Sequence, residues 1–91
     1  MAIVTLRYWA AAKEAAGVAE EKVEADTLAT ALTEGLKAAQ ARPGDQSERL
    51  RLVMARSSFL IDGEPAGMRP PESVLLPDGA LIEVLPPFAG G

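Results

Sequence analysis

The chain has 91 residues, 13 of them acidic and 9 basic, which gives a formal charge of −4 at neutral pH and the length of one small domain. It contains no cysteine and no histidine, so disulfides, thiolate or imidazole metal sites, a catalytic cysteine and histidine-based acid–base chemistry are excluded from within it. The negative charge disfavours nucleic acid and anionic membranes as partners, whereas a basic protein surface is compatible with it.

The sequence shows neither a targeting segment nor an internal linker. Its first six residues lack the charged start and long apolar core of a signal peptide, and no stretch approaches the length of a membrane span. We therefore expect a cytoplasmic protein with one domain over residues 1–85, followed by an extended tail over residues 86–91.

The N-terminal part predicts a strand, a short helix and a second strand. Residues 3–9 alternate with the period of a strand, which puts two sets of side chains on opposite faces, Ile3, Thr5, Arg7 and Trp9 against Val4, Leu6 and Tyr8. The alanine-rich residues 10–16 favour a short helix, and Gly17 is suited to its C-terminal cap. The polar residues 18–25 are compatible with an exposed strand paired with the first.

The longest amphipathic segment comes after Asp26 and Thr27, either of which can cap a helix. Its apolar face is formed by residues at helical spacing, namely Leu28, Ala31, Leu32, Gly35, Leu36 and Ala39. Pro43 and Gly44 end this helix, and residues 47–51 predict a short further turn.

The C-terminal half predicts two or three more strands. Residues 53–61 contain one of them, and the Asp62-Gly63 turn comes directly after it. Residues 65–73 hold three prolines and a glycine and predict a loop, residues 74–76 a short edge strand, and residues 80–85 the final strand.

This order of elements indicates an α+β fold, with one main helix packed across a mixed sheet of four to five strands and a short helix after the first strand. If the first and last strands are central neighbours, they pair in parallel, as in a ubiquitin-like β-grasp. The pattern alone does not establish that strand order.

The tail, Pro-Pro-Phe-Ala-Gly-Gly, is the most informative segment. Two prolines remove ladder donors, so they would stop the last strand and project the final residues away from the sheet. A Gly-Gly pair has no Cβ and can pass through a channel too narrow for other residues. From residue 87 to residue 91, an extended chain reaches roughly 15 Å at about 3.3 Å per residue. The plain alternative is a frayed chain end.

Three stretches carry a family resemblance. Residues 7–17 are similar to an aromatic-Ala-x-x-Arg-Glu-x-x-Gly segment, residues 59–64 to a strand and turn before a last hairpin, and residues 77–91 to a closing Asp-Gly-strand-Pro-Pro-x-x-Gly-Gly pattern. Together they resemble the small sulfur-carrier proteins of the MoaD and ThiS type, and the small subunit of molybdopterin synthase most closely. Lys13 stands where that family often has arginine and cannot reproduce a bidentate contact. Residues 40–52 are longer and more charged than the family pattern, and we assign them no function.

The resemblance implies a division of labour between this chain and its partners. A ubiquitin-activating-like adenylyltransferase of the MoeB type would adenylate the Gly91 carboxylate, and sulfur would then replace the adenylate to give a thiocarboxylate. A MoaE-like large subunit of molybdopterin synthase, in a heterotetramer, would receive the tail and supply the catalytic side chains. The chain itself would then be no enzyme and bind no cofactor or metal, while ATP and a sulfur donor act through the activating enzyme.

The expected site is therefore the tail and its base. Gly91 carries the reactive carboxylate, and Gly90 and Ala89 thread into the partner. The residues expected to dock on partners are Phe88, Pro87, Pro86, Leu85 and Phe59. Core packing is an equal alternative for Leu85, and at most one of Phe59 and Leu60 should be core because they point to opposite faces. Trp9 is expected to be partly buried, and an interface role is its less favoured alternative.

Four acidic residues and three alternative functions were also considered. The acids Glu14, Asp62, Glu64 and Asp78 lie at turn or helix-surface positions, where solvated carboxylates are far commoner than catalytic ones. The same carrier chemistry would also serve thiamine thiazole or cysteine biosynthesis. A ubiquitin-like modifier joined to lysines through Gly91 and a β-grasp binding module with an inert tail are the remaining alternatives.

Overall fold

The computed structural model describes residues 2–87. Within them, the chain forms five strands, three α-helices and one turn of 3-10 helix. In chain order these are β1 (Ile3–Tyr8), α1 (Ala10–Ala16), β2 (Glu20–Glu24), α2 (Leu28–Gln40), α3 (Ser47–Ala55), β3 (Ser58–Ile61), β4 (Glu64–Pro65), the 3-10 turn (Pro71–Ser73) and β5 (Leu81–Leu85).

The strands form one mixed sheet in the order β2-β1-β5-β3-β4. The first and last strands are central neighbours and run parallel, with Thr5 opposite Leu81. The other three pairs are antiparallel. The expected α+β fold and its parallel central pair are therefore confirmed.

The core lies between one face of the sheet and the helices. The predicted alternation of β1 holds, since Val4, Leu6 and Tyr8 are all buried. Ile82 and Val84 continue this buried face on β5. From the other side, α2 contributes the predicted apolar face, with Leu28, Ala31, Gly35 and Ala39 buried.

Gly35 sits where α2 comes closest to the sheet. A Cβ at this position would lie 2.6 Å from the Tyr8 hydroxyl oxygen and 2.9 Å from a Leu6 methyl carbon. Both distances are shorter than any real carbon contact, so the close packing of α2 on β1 depends on glycine here.

The predicted helix caps are confirmed. Gly17 ends α1 with a φ of 82°, the left-handed conformation that glycine adopts without strain. Thr27 begins α2, and its hydroxyl accepts a hydrogen bond from the Thr30 amide at 3.2 Å.

A polar network ties α1 and β2 to the chain that comes after α2. The Arg42 guanidinium donates to the Ala16 carbonyl at 2.8 Å and forms an ion pair with Glu21. Glu21 also accepts a hydrogen bond from the Tyr8 hydroxyl at 2.6 Å. Burial, and then the Glu21 carboxylate, raise the pKa of Tyr8 far above its ordinary value.

Two predicted elements are wrong. Residues 47–51 are not a short turn but the start of α3, a nine-residue helix that buries Leu50 and Met54 at i, i+4 spacing and includes Val53. The third strand therefore begins only at Ser58.

Residues 74–76 form no strand. Only an isolated bridge joins Leu75 to Thr27, because the preceding 3-10 turn and the adjacent Pro77 leave no room for a ladder. The outer strand of this side is instead β4, whose Pro65 lies at the sheet edge, where a missing amide donor is tolerated.

Candidate functional site

The strand that leads into the predicted tail is central in the sheet. β5 lies between β1 and β3, and it ends at Leu85, immediately before Pro86 and Pro87. The two prolines thus end the strand as predicted. Because β5 is held by a neighbour on each side, the root of the tail has a fixed position.

The sheet face opposite the helices, called here the open sheet face, surrounds this root. The register brings Arg7 next to Glu83, which is itself next to Leu60. The apolar members of this face come from three strands and are Ile3, Leu60, Leu81 and Leu85. Ile3 is 42% exposed and the other three are partly exposed. An exposed apolar area of this kind, rimmed by charges, is typical of a protein–protein contact surface.

Leu85 belongs to the open sheet face and not to the core. It comes one residue after the buried Val84, so its side chain points away from the helices. This placement disagrees with core packing, and the docking role of Leu85 stays a prediction.

Phe59 and Leu60 point to opposite faces, as expected. Phe59 pairs with the buried Val84 and packs against the core, whereas Leu60 pairs with Glu83 on the open sheet face. Leu60 thus occupies the surface position that we assigned to Phe59. Alternation within β3 could not settle this choice, because it required the register between β3 and β5.

Trp9 forms one wall of a hollow at the root of the tail. Its side chain is 45% exposed, and its indole N–H donates a hydrogen bond to the Glu83 carboxylate at 3.2 Å. The hollow has a volume of about 550 Å³. We call it the tail-base hollow, and it is lined by Trp9, Ala10, Ala11, Glu14, Leu85, Pro86 and Pro87. Sequence reasoning gave Trp9 an interface role only as the less favoured alternative, although its place on the same strand face as Arg7 was a signal for it.

The backbone is strained beside this hollow. Ala10 has a φ of +48°, a conformation that costs residues with a Cβ roughly 1–2 kcal/mol. The chain turns there from β1 into α1, while the Trp9 amide donates to the Val84 carbonyl at 3.2 Å and the Trp9 carbonyl accepts from the Ala12 amide at 3.0 Å. These bonds hold Trp9 next to the end of β5.

The acidic residues that we considered have structural partners or lie exposed at the surface. Asp62 accepts a hydrogen bond from the Leu81 amide at 2.9 Å, and Asp78 accepts one from the Ile3 amide at 2.8 Å. Both carboxylates therefore fix loops at one end of the sheet. Glu14 and Glu64 are exposed.

The part of the chain that the structure describes contains neither a metal-binding cluster nor a membrane-spanning helix. Between residues 2 and 87, no three Asp or Glu side chains form a group that could hold a metal ion. No helix in that range is long and apolar enough to cross a membrane.

The remaining predicted residues lie outside the described range or away from the hollow. Phe88, Ala89, Gly90 and Gly91 are outside the described residues, and their roles stay predictions. Lys13 is exposed and lines an adjoining hollow that shares Trp9, Ala10 and Glu14 with the tail-base hollow. Residues 40–52 contain Arg42 of the polar network and the first part of α3.

Comparison with known proteins identifies the fold. No family model and no curated protein matches the sequence. Solved structures of small β-grasp proteins do match it over nearly their whole length. The chain has the ubiquitin-like β-grasp fold.

Three of these structures illustrate the likeness. The small archaeal modifier protein 1 from Methanosarcina acetivorans is 24% identical with a TM-score of 0.77, covering 100% of this chain and 98% of that protein. The putative molybdopterin converting factor subunit 1 from Pyrococcus furiosus is 20% identical with a TM-score of 0.72, covering 97% and 100%. A complex of subunits 1 and 2 of molybdopterin-converting factor from Helicobacter pylori contains a chain that is 22% identical with a TM-score of 0.58, covering 98% and 99%. At these identities the likeness establishes the fold.

Proposed function

We propose that this protein is a sulfur carrier, the small subunit of a molybdopterin synthase, with Gly91 as its reactive C-terminal residue. The Gly91 carboxylate attacks the α-phosphate of ATP on an activating enzyme of the MoeB type, releasing pyrophosphate and forming an acyl adenylate. A sulfur nucleophile then displaces AMP, and the resulting thiocarboxylate donates its sulfur to the molybdopterin precursor.

The position of β5 is the observation that carries this proposal. The strand that leads into the Gly-Gly tail is central in the sheet, and Pro86 and Pro87 come directly after it. The domain therefore holds the tail at a fixed root beside the open sheet face, which offers Leu60, Leu81 and Leu85 to a docking protein. This arrangement is what delivery of a chain end into another protein's active site requires.

The chain's composition supports a carrier more than an enzyme. It has no cysteine or histidine, and the considered acids Asp62 and Asp78 bind backbone amides. Nucleophilic and acid–base groups for activation and transfer are therefore expected from the partners.

The structural neighbours support the choice of partner. The Helicobacter pylori structure is described as a complex of subunits 1 and 2 of molybdopterin-converting factor. By analogy, the proposed partner of this chain is a MoaE-like large subunit, and a heterotetramer of two copies of each is the proposed assembly.

A ubiquitin-like modifier is a second candidate, favoured by one specific observation. The small archaeal modifier protein 1 from Methanosarcina acetivorans matches this chain over its whole length at a higher TM-score than the Pyrococcus furiosus protein. Both candidates begin with the same adenylation, and they diverge when a lysine amine instead of sulfur displaces AMP. Carriers for thiamine thiazole or cysteine biosynthesis would share the sulfur step and differ in the acceptor.

Intact-mass spectrometry distinguishes these functions. The measured mass of the untreated protein is first compared with the mass calculated for a chain whose last residue is Gly91. After incubation with the activating enzyme, ATP and sulfide, we expect the mass increase of one oxygen-to-sulfur exchange at Gly91. Addition of the large subunit and the pterin precursor should reverse that increase. Covalent adducts to lysines would support the modifier instead, and an unchanged mass under all conditions would contradict both.

A further inference from the structure

The tail-base hollow presents an aromatic face to any protein that takes the tail. Trp9 is the only tryptophan of the chain and remains 45% exposed. Its single hydrogen-bond donor is already used by Glu83. The ring face is therefore the part of Trp9 that a ligand can contact, and the aliphatic groups of Leu85 and Pro86 lie around the same hollow.

In the described part of the chain, the one charged side chain that lines this hollow is negative, and Lys13 lines only the adjoining hollow. Glu14 lines the tail-base hollow, is exposed, and forms no ion pair with any of residues 2–87. The Glu83 carboxylate accepts the hydrogen bond of the Trp9 indole N–H at the edge of the hollow. The neighbouring Arg7 forms an ion pair with Glu20 at 3.0 Å. Among the described residues, no lysine or arginine lines the hollow.

We propose that the tail-base hollow binds an arginine side chain of the activating enzyme, with the guanidinium stacked on the Trp9 ring and paired with the Glu14 carboxylate. The inference rests on the proposed function, because it assigns a residue type to the partner at that same site. The activating enzyme is the partner that the carrier and the modifier have in common. Since Pro86 and Pro87 line the hollow, an enzyme that takes up the tail as far as its root also covers the hollow.

Arginine suits this combination better than the other side chains. Its planar guanidinium stacks on aromatic rings and offers several N–H donors to carboxylates, whereas a lysine ammonium is a compact, strongly hydrated charge. An apolar side chain in the hollow would remove water from Glu14 without supplying a partner, which is unfavourable.

Titration of the isolated protein with small probes tests the hollow directly. We would record ¹⁵N-¹H spectra with N-acetyl-arginine amide, its lysine counterpart, and N-acetyl-citrulline amide, a neutral analogue of nearly the same shape. We expect saturable shifts of the Trp9 indole N–H and of the Ala11 and Glu14 amides, with half-saturation in the millimolar range for arginine and weaker binding of lysine and citrulline. Equal shifts with citrulline would show that charge is irrelevant, and shifts confined to other residues would show that the hollow is no site. Either result overturns the proposal.

A pair of charge-neutralising variants controls for non-specific attraction. Glu14→Gln should weaken arginine binding by up to about fivefold, the upper end of the range for exposed ion pairs. Glu72→Gln removes the same charge from the exposed 3-10 turn, which does not line the hollow, and should leave binding unchanged. An equal effect of both variants would contradict the inference.

Kinetics with the activating enzyme separate this inference from the proposed function. Glu14→Gln should raise the KM for the carrier with little change in kcat. If the wild-type protein forms a thiocarboxylate but Glu14→Gln keeps the wild-type KM, the inference fails and the proposed function stands. If the wild-type protein is never activated, the proposed function fails, and the probe titration still decides whether the hollow binds arginine.

Discussion

Gly35 shows how a single missing methyl group sets the distance between α2 and the sheet. Gly35→Ala gains about 1 kcal/mol of helix propensity. It also forces a Cβ against the Tyr8 hydroxyl and Leu6, and overpacking of this kind costs about 1–3 kcal/mol. We expect a net loss of about 1 kcal/mol in the free energy of unfolding, measured in urea. Thr33→Ala, on the exposed side of the same helix, should cause no loss, and an equally stable Gly35→Ala protein would contradict the close approach.

At Ala10, in contrast, we expect a substitution to stabilise the protein. Its φ of +48° is strained for a residue with a Cβ, so Ala10→Gly should raise the free energy of unfolding by up to about 1 kcal/mol. Ala11→Gly, at the next position of α1 with no positive φ, should instead lower it by about 0.5–1 kcal/mol. Chemical denaturation of the two variants side by side checks the sign of each change, and two losses would contradict the strain at Ala10.

Among the elements, β1, β2 and α1 share the polar network around Tyr8, which predicts a pH dependence. Because the folded-state pKa of Tyr8 is raised, the network's contribution is complete below the unfolded tyrosine pKa of about 10 and is lost as the pH rises above it. We therefore expect the free energy of unfolding to fall above about pH 10. Tyr8 is the only tyrosine, so the absorbance of tyrosinate should appear together with unfolding and not before it.

Tyr8→Phe is the control for this titration. The variant removes the ionisable hydroxyl while it keeps the buried ring, so the part of the pH dependence that Tyr8 causes should disappear. Tyrosinate that forms in the still-folded wild-type protein would show that the hydroxyl is not held by Glu21.

The elements also show how far sequence patterns reach. β1 and α2 were predictable because each has a clear period and α2 has its own cap at Thr27. α3 was not, because Val53 extends the apolar run toward β3 and hides the helical spacing of Leu50 and Met54. Short apolar runs of this kind do not distinguish a helix from a strand.

The candidate site was predictable only where it depends on local sequence. Pro86 and Pro87 marked the end of β5 by backbone chemistry alone. Leu60 and Trp9 belong to the site through the pairing of β5 with β3 and β1, which is a long-range property. The alternation of the sequence assigns each residue to one of the two faces of its strand. It does not show which face packs against the helices or which residues of neighbouring strands lie on the same face.

For the whole molecule, the tail should be separable from the domain. Residues 2–87 by themselves form a buried core and a five-stranded sheet. Gly90→Val should therefore leave the unfolding midpoint unchanged and abolish thiocarboxylate formation, because a β-branched side chain blocks threading. Intact-mass spectrometry after activation and a urea titration provide the two readouts.

Met68→Val is the matched control, since it places the same side chain at an exposed position of the domain. It should be activated like the wild-type protein. Normal conversion of Gly90→Val would contradict the threading of the tail, and an altered unfolding midpoint would show that the tail contributes to the domain.

Because β5 is central, the sheet can form only after nearly the whole chain has been synthesised. β1 and β2, connected through α1, form one antiparallel pair, β3 and β4 form another, and β5 alone joins the two pairs in the sheet. A chain interrupted before Leu81 has two strand pairs that are not hydrogen-bonded into one sheet, because pairing of Thr5 with Leu81 requires nearly the whole chain. Truncated products therefore cannot form the open sheet face and would not compete with intact copies for a docking protein.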